Sequence, residues 1–193
     1  FISYCNFNGN TSPAGGAIRL VNCPDYIDIA ENTFSNNFSP RGSNLSANNV
    51  PGTPYDAPDN TFDVSPDSAW SVAPVGAFNT PDAIVTGPEP MYGATVYVAE
   101  DGDNQNDGLT PGTAFRNVSH ALKRVIGSSA ISSVVNVGPG VYNEPSGEQF
   151  PLPILPYTDL IGSGYEDCSI EAAEGNVLVA YFAEGPSLDG FSI

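Results

Sequence analysis

Residues 95–142, TVYVAEDGDNQNDGLTPGTAFRNVSHALKRVIGSSAISSVVNVGPGVY, hold in order an alternating apolar strand, an acidic Asp/Asn/Gly loop, an amphipathic helix and a second apolar strand running into Gly-Pro-Gly. Val96 and Val98 share one face of the first strand, because side chains alternate along an extended chain. The loop EDGDNQNDGLTPGT is too polar for a core. Val118, Ala121, Leu122, Val125 and Ile126 then recur at the i, i+3, i+4, i+7, i+8 spacing of one helix face, which predicts a helix over about 117–126. Asn117 is its expected N-cap and Gly127 its expected C′ residue. Lys123 and Arg124 lie in the last turn, where the helix dipole favours cations.

Outside this stretch the chain reads as short strands. From residue 132 onward SVVNV, PLPILP, TDLIGSG, CSIEAA, NVLVAYF and SLDGFSI alternate with turn residues, and residues 1–37 show the same rhythm. There Ile18 and Leu20 alternate with Arg19, and Ile27 and Ile29 alternate with Asp28, so each strand has one buried and one wet face. Between 38 and 92 the composition shifts to Pro, Gly, Asn and Asp. The prolines at 51, 54, 58, 66, 74, 81, 88 and 90 remove backbone donors and argue against central strands. This region reads as a linker or a docked extended arm. In it, Phe62, Val64, Trp70 and Val72 of the segment 61–75 are expected to lie on another body, because so much apolar surface is disfavoured in water. The expected organisation is therefore 1–37 coil strands, 38–92 linker or arm, and 93–193 a second set of strands with the helix.

The 193 residues carry 22 acidic against 5 basic side chains, a net charge of -17. Such a surface repels nucleic acid and anionic membranes, and suits an extracellular or high-salt setting or the collection of divalent cations, or is simply a well-solvated surface; the expected location is extracellular or at the cell surface. No apolar run approaches the roughly 20 residues that span a bilayer. Phe1 stands where a Met would open a full reading frame, so a processed product or a segment of a longer chain is expected. Three cysteines, Cys5, Cys23 and Cys168, cannot all pair within one chain. Either they are small buried apolar side chains, or Cys5 and Cys23 form a disulfide. Asn10, Asn37, Asn44 and Asn117 each begin an Asn-x-Ser/Thr glycosylation motif.

The order strand, D-G-x-N-x-N-D-G, T-P-G-T-A-F, helix, V-x-V-G-P-G-x-Y, P-L-P-I-L-P, L-I-G-S-G resembles the opening of right-handed parallel β-helix proteins of the pectate-lyase-like superfamily. More narrowly, residues 96–193 resemble the uncharacterised N-terminal domain that begins many secreted β-helix proteins, polysaccharide lyases and surface-anchored repeat proteins among them. The resemblance implies an all-β, right-handed parallel β-helix with one α-helix capping its first coil. Residues 1–37, with G-G-A-I-R-L and I-x-x-N-T-F-S-N-N, resemble interior or late coils of the same fold. An opening motif preceded by ninety residues of late-coil type departs from the family pattern. It implies copies or repeats stacked head to tail, with Phe1, Ile2, Phe191 and Ile193 at the joining ends and the Phe62, Val64, Trp70, Val72 arm as a further contact. Uncovered strand edges are an association hazard, and a non-closing heterologous contact generates a fibre.

Asp101, Asp103 and Asp107 offer hard oxygen ligands at close spacing, as calcium takes, although the loop lacks the Gly and Glu of an EF-hand. The alternative is an Asp/Asn turn that satisfies its own backbone. A polysaccharide lyase or glycosidase would need a base or two facing carboxylates. Arg19, the pair Asp25 and Asp28, and the pair Glu166 and Asp167 are thin candidates, and no catalytic residue is assigned. His120 reads as a solvated histidine on the polar side of the helix. VGPGVY and LIGSGY follow strands but open no helix, so a dinucleotide reading fails. The leading expectation is a structural protein assembling with copies of itself; the other is part of a carbohydrate-active β-helix protein with a polysaccharide partner.

Overall fold

The computed structural model describes residues 1–193 apart from 13, 24–26, 49–53, 67–69, 74–76 and 181–183. It forms two compact units, Phe1–Glu89 and Pro90–Ile193. Every strand pair in both is parallel and joins one coil to the next, so the fold is a mostly-β solenoid.

In the first unit, β1 (Ile2–Ser3), β2 (Asn6–Asn8) and β3 (Ile18–Val21) make one coil. The next contains β4 (Ile29–Ala30), β5 (Thr33–Ser35) and β6 (Leu45–Asn48), and the third β7 (Tyr55–Asp56), β8 (Thr61–Phe62) and β9 (Val72–Ala73). A last partial coil holds β10 (Phe78–Asn79) and β11 (Ile84–Val85). Equivalent residues lie 27 or 28 apart in the early coils and 23 apart at the end. Phe7, Phe34 and Phe62 occupy one interior row, with successive ring centroids 5.1 Å apart and planes within 9°. Full burial of such a side chain contributes about 1.5–3 kcal/mol and a ring pair about 0.5–1.5 kcal/mol more.

A polar row runs beside the rings. Tyr4, Glu31, Asp59 and Asp82 have φ of 56°, 58°, 55° and 56° at one corner of successive coils. In the two middle coils the next residue is a buried asparagine, Asn32 or Asn60. Cys5 N–H donates to Asn32 Oδ1 at 3.0 Å, and Asn32 N–H donates to Asn60 Oδ1 at 2.9 Å. Asn32 Nδ2 returns a bond to Ile2 O, and Asn60 Nδ2 to Ile29 O. The left-handed corner costs about 1–2 kcal/mol for a non-glycine residue, and the amide ladder that satisfies its neighbours holds it there. A second row pairs Asn10 with Asn37, and Asn37 Nδ2 with Asn44 Oδ1.

Residues 38–92, expected as a linker or arm, instead hold coil strands. β8 pairs with β5 and β11, and β9 with β6. Phe62, Trp70 and Val72 are fully buried in this unit rather than laid on another body, and Val64 is half-buried. The physical reason is strand length. Strands of two residues need a corner after almost every pair, and Pro58, Pro66 and Pro81 sit in those corners, where no ladder donor is lost. Pro51, Pro74 and Val75 lie outside the described residues. The missed signal is the repeat of E-N-T-F at 31–34 as D-N-T-F at 59–62.

In the second unit, β12 (Met91–Tyr92) and β13 (Thr95–Val98) precede the helix α1 (Val118–Arg124), which runs into β14 (Val125–Ile126). The next coil holds β15 (Ser133–Val137), β16 (Gly140–Asn143) and β17 (Leu152–Ile154), followed by β18 (Thr158–Gly162), β19 (Cys168–Glu171) and β20 (Leu178–Ala180), and then β21 (Leu188–Asp189). The largest sheet has the order β13-β15-β18-β21, with Val96, Val135 and Leu160 in one buried row. The helix buries Val118, Ala121 and Leu122 as its spacing requires. It ends two residues early because Val125 is extended, at φ -123° and ψ 146°, and pairs with Met91. β-Branched Val125 and Ile126 serve a strand better than a helix. Gly127 is therefore no helix cap; it lies where the Tyr157 carbonyl passes too close for any Cβ.

Candidate functional site

The acidic loop after β13 folds back on the free edge of that strand. Tyr97 N–H donates to Gly108 O at 2.8 Å, Phe115 N–H to Tyr97 O at 2.8 Å and Ala99 N–H to Phe115 O at 2.9 Å. These are the groups that an outermost strand otherwise leaves open to another chain. The loop holds its own shape with short polar side chains: Asp103 Oδ1 accepts from Gln105 N–H, and Asp107 Oδ1 from Leu109 N–H and the Thr113 hydroxyl. Asn104 Oδ1 accepts from the N–H groups of Arg116 and Asn117, and Asn106 donates to Ala114 O. The Thr113 hydroxyl, then the Leu109 N–H, hold the Asp107 carboxyl below the usual range. Among the described residues no three acidic, cysteine or histidine side chains are placed to hold a metal ion. Asp103 and Asp107 thus lie in a turn whose side chains satisfy the loop's own backbone.

Phe115 anchors the loop. His120 meets its ring edge-on, with centroids 4.9 Å apart, and the Arg124 guanidinium lies 5.5 Å from its centre. His120 is consequently half-buried rather than solvated. Burial, with the charges of Arg124 and Lys123, lowers its pKa to about 4. The helix N-terminus is capped from the next coil. Glu148, which is buried, accepts from Val118 N–H at 2.6 Å and Ser119 N–H at 2.8 Å. Burial raises its carboxyl pKa in spite of those bonds. Asn117 stands at the N-cap position without capping; it bonds Asn104 and Ser146 O instead. Neither role is visible in sequence, since Glu148 lies about thirty residues from the helix start.

An open cleft of about 550 Å³ lies over the outer face of the largest sheet, lined by Tyr97, Asn136 and Ile161, which share one register row, and by Pro111, Pro139 and Ser163. Its lining is mostly apolar. The candidate catalytic groups do not gather there. Arg19 is exposed on β3 opposite Ser46, Asp28 is exposed, and Glu166 and Asp167 are exposed neighbours in one turn; Asp25 lies outside the described residues. Cys5, Cys23 and Cys168 are all free, so the Cys5–Cys23 disulfide does not form. Of the glycosylation motifs, Asn37, Asn44 and Asn117 are buried in amide networks and only Asn10 is exposed. At the expected joining ends Phe1 and Ile193 are 80% and 62% exposed, while Ile2 and Phe191 are half-buried.

Residues 100–176 match a family described as a protein of unknown function (DUF1565). That segment holds the edge-covering loop, α1 and the strands from β14 to β19, the part whose motif order suggested a β-helix. The expectation of a mostly-β fold of parallel coils is met: the chain is a parallel β-solenoid with, among the described residues, a single α-helix. No curated protein and no solved structure matches. Among the described residues no helix is long and apolar enough to cross a membrane.

Proposed function

We propose that this chain is a structural β-solenoid module of the cell exterior, whose coils associate head to tail with further copies into a filament. One contrast carries the reading. The edge of β13 is covered by the loop of residues 100–116, whereas the inner strands pair coil to coil in parallel, each coil lending the next its ladder bonds and its interior row. Parallel coils add by supplying ladder bonds and a matching interior row, so an open coil edge is a template for another coil. A heterologous contact of this kind does not close and so propagates. The excess of carboxylates supports an extracellular or surface setting and solubility of the free module.

Light scattering and electron microscopy of the purified chain over rising concentration test this. Rods lengthening with concentration are the expected outcome, with a parallel series in calcium because the acidic loop was the sequence's candidate for a cation. A monodisperse monomer at the highest concentrations, in both series, overturns the reading.

A second reading rests on the cleft. Tyr97 and Asn136 side by side in a shallow apolar cleft suit a sugar ring, which stacks on an aromatic face and hydrogen-bonds at its rim. Binding of soluble polysaccharides that is lost in Tyr97→Ala supports a glycan-binding module, and unsaturated product from uronate polymers would make it a lyase. Neither signal across a panel of neutral and acidic polymers removes this reading.

A further inference from the structure

We infer that the loop of residues 100–116 is an acid-released cover: a proton taken up by His120 breaks the loop's anchor at Phe115, and the edge of β13 opens. This goes beyond the filament reading and does not depend on it. Three backbone bonds join the loop to β13 and the residue after it, and they run through two loop residues. Gly108 O accepts from Tyr97 N–H, while Phe115 donates to Tyr97 O and accepts from Ala99 N–H. Both residues meet at one ring, since the Phe115 side chain lies so close to Gly108 that no Cβ fits there. That ring is fully buried, and it is the anchor of the cover.

Two side chains of α1 hold the ring: His120 edge-on with centroids 4.9 Å apart, and Arg124 with its guanidinium 5.5 Å from the ring centre. Each buries a nitrogen, His120 Nε2 and Arg124 Nε, that has no hydrogen-bond partner among the described residues. A neutral imidazole tolerates this place. An imidazolium does not, because its charge is added beside a guanidinium already seated on the same ring and its buried donor stays unmet. The strands on which α1 packs, β13, β15 and β17, carry no charged side chain, and Tyr97 is their one titratable group. The loop contributes Glu100, Asp101, Asp103, Asp107 and Arg116, and the next coil contributes Glu148 at the start of α1. Burial first, then Arg124 and Lys123, resist the proton, so His120 takes it up only as pH falls from the ordinary 6.5 toward 4. The loop's own turn outlasts that change, because the Thr113 hydroxyl and the Leu109 N–H keep the Asp107 carboxyl below the usual range. The loop is thus released as a folded strap. Its departure bares the Tyr97 and Ala99 amides, the kind of open edge on which a further strand adds, and takes Pro111 and Ala114 from the wall of the cleft.

Amide exchange followed by NMR from neutral to acid pH tests it, with protection taken relative to the unstructured rate at each pH. As pH falls from 6.5 toward 4, Tyr97 and Ala99 are expected to lose protection about thirtyfold, while Val135 and Leu160 on the inner strands keep theirs. The imidazole signal that reports the trigger needs no assignment, because His120 is the chain's single histidine. His120→Phe keeps an aromatic partner for Phe115 and has no proton to gain, so its Tyr97 and Ala99 amides are expected to stay protected over the same range. Burial also moves the proton uptake of Glu148 upward, into this window, and Glu148→Gln separates the two groups: release is expected to persist in it. The inference is overturned if Tyr97 and Ala99 keep their protection in the native chain. It is equally overturned if Val135 and Leu160 lose as much, if His120→Phe loses as much as the native chain, or if Glu148→Gln abolishes the loss. Should His120→Phe fail to fold, the native chain decides alone: an imidazole titrating near 6.5, or protection lost only after His120 has titrated, overturns it.

Discussion

Asn60 is fully buried, and its amide serves three backbone groups: it accepts from Asn32 N–H and donates to the carbonyls of Ile29 and Ala57. Asn60→Ala leaves all three buried without partners, and an unmet buried group costs about 1–3 kcal/mol. A loss of roughly 3 kcal/mol is expected in urea unfolding, followed by the emission of Trp70, the single tryptophan, which is buried in the same unit. A change under 1 kcal/mol would mean that the ladder is incidental. His120 gives a second residue-scale outcome. Its pKa is lowered to about 4 from 6.5, so its contribution to stability is complete above 6.5 and is lost as pH falls toward 4. After discounting for partial exposure, about 2 kcal/mol of stability is expected to disappear over that window, and His120→Phe should flatten the slope. An imidazole titrating by NMR near 6.5 would contradict the packing on Phe115. Glu148 acts in the opposite sense. Its raised pKa makes its contribution complete below the ordinary 4.5 and lost as pH rises through its folded value, so Glu148→Gln should remove a stability decline that sets in above 4.5.

At the scale of elements, the loop of residues 100–116 decides how β13 ends. Gly108 has φ +70° and its missing side chain leaves room for the Phe115 ring, while Gly102 faces the Phe115 carbonyl as closely. Gly108→Ala places a methyl group into that ring and strains the backbone, at an expected cost of about 2–3 kcal/mol local to the loop. Hydrogen exchange should then show faster exchange of the Tyr97 and Ala99 amides, with the inner strands β15 and β18 unchanged. Equal acceleration throughout the unit would mean that the loop belongs to its core. The strand, loop, helix and strand order of residues 95–142 was readable because each piece has its own period or turn chemistry. What marks the edge cover as such is a set of backbone bonds from Gly108 and Phe115 to β13, and composition holds no trace of those. The helix end was misread for a similar reason: Val125 and Ile126 satisfy the helical spacing, yet the parallel partner Met91 makes them a strand.

Across the whole chain each unit has its own interior: the Phe7, Phe34 and Phe62 stack in Phe1–Glu89, and the Val96, Val135 and Leu160 row in Pro90–Ile193. The sequence by itself determined that the chain is mostly short strands with one helix, that alternating Val, Ile and Leu face inward, and that the polar loop cannot be core. These follow from local periodicity and backbone chemistry, which a single segment contains. Only the tertiary structure decided that residues 38–92 are coils, that Asn37, Asn44 and Asn117 are interior ladder members rather than glycan acceptors, and that Glu148 caps α1. Each depends on a neighbour about one coil away along the chain. A two-residue strand between prolines has no pattern of its own, and it becomes a strand when the coil beside it supplies the other half of its hydrogen bonds.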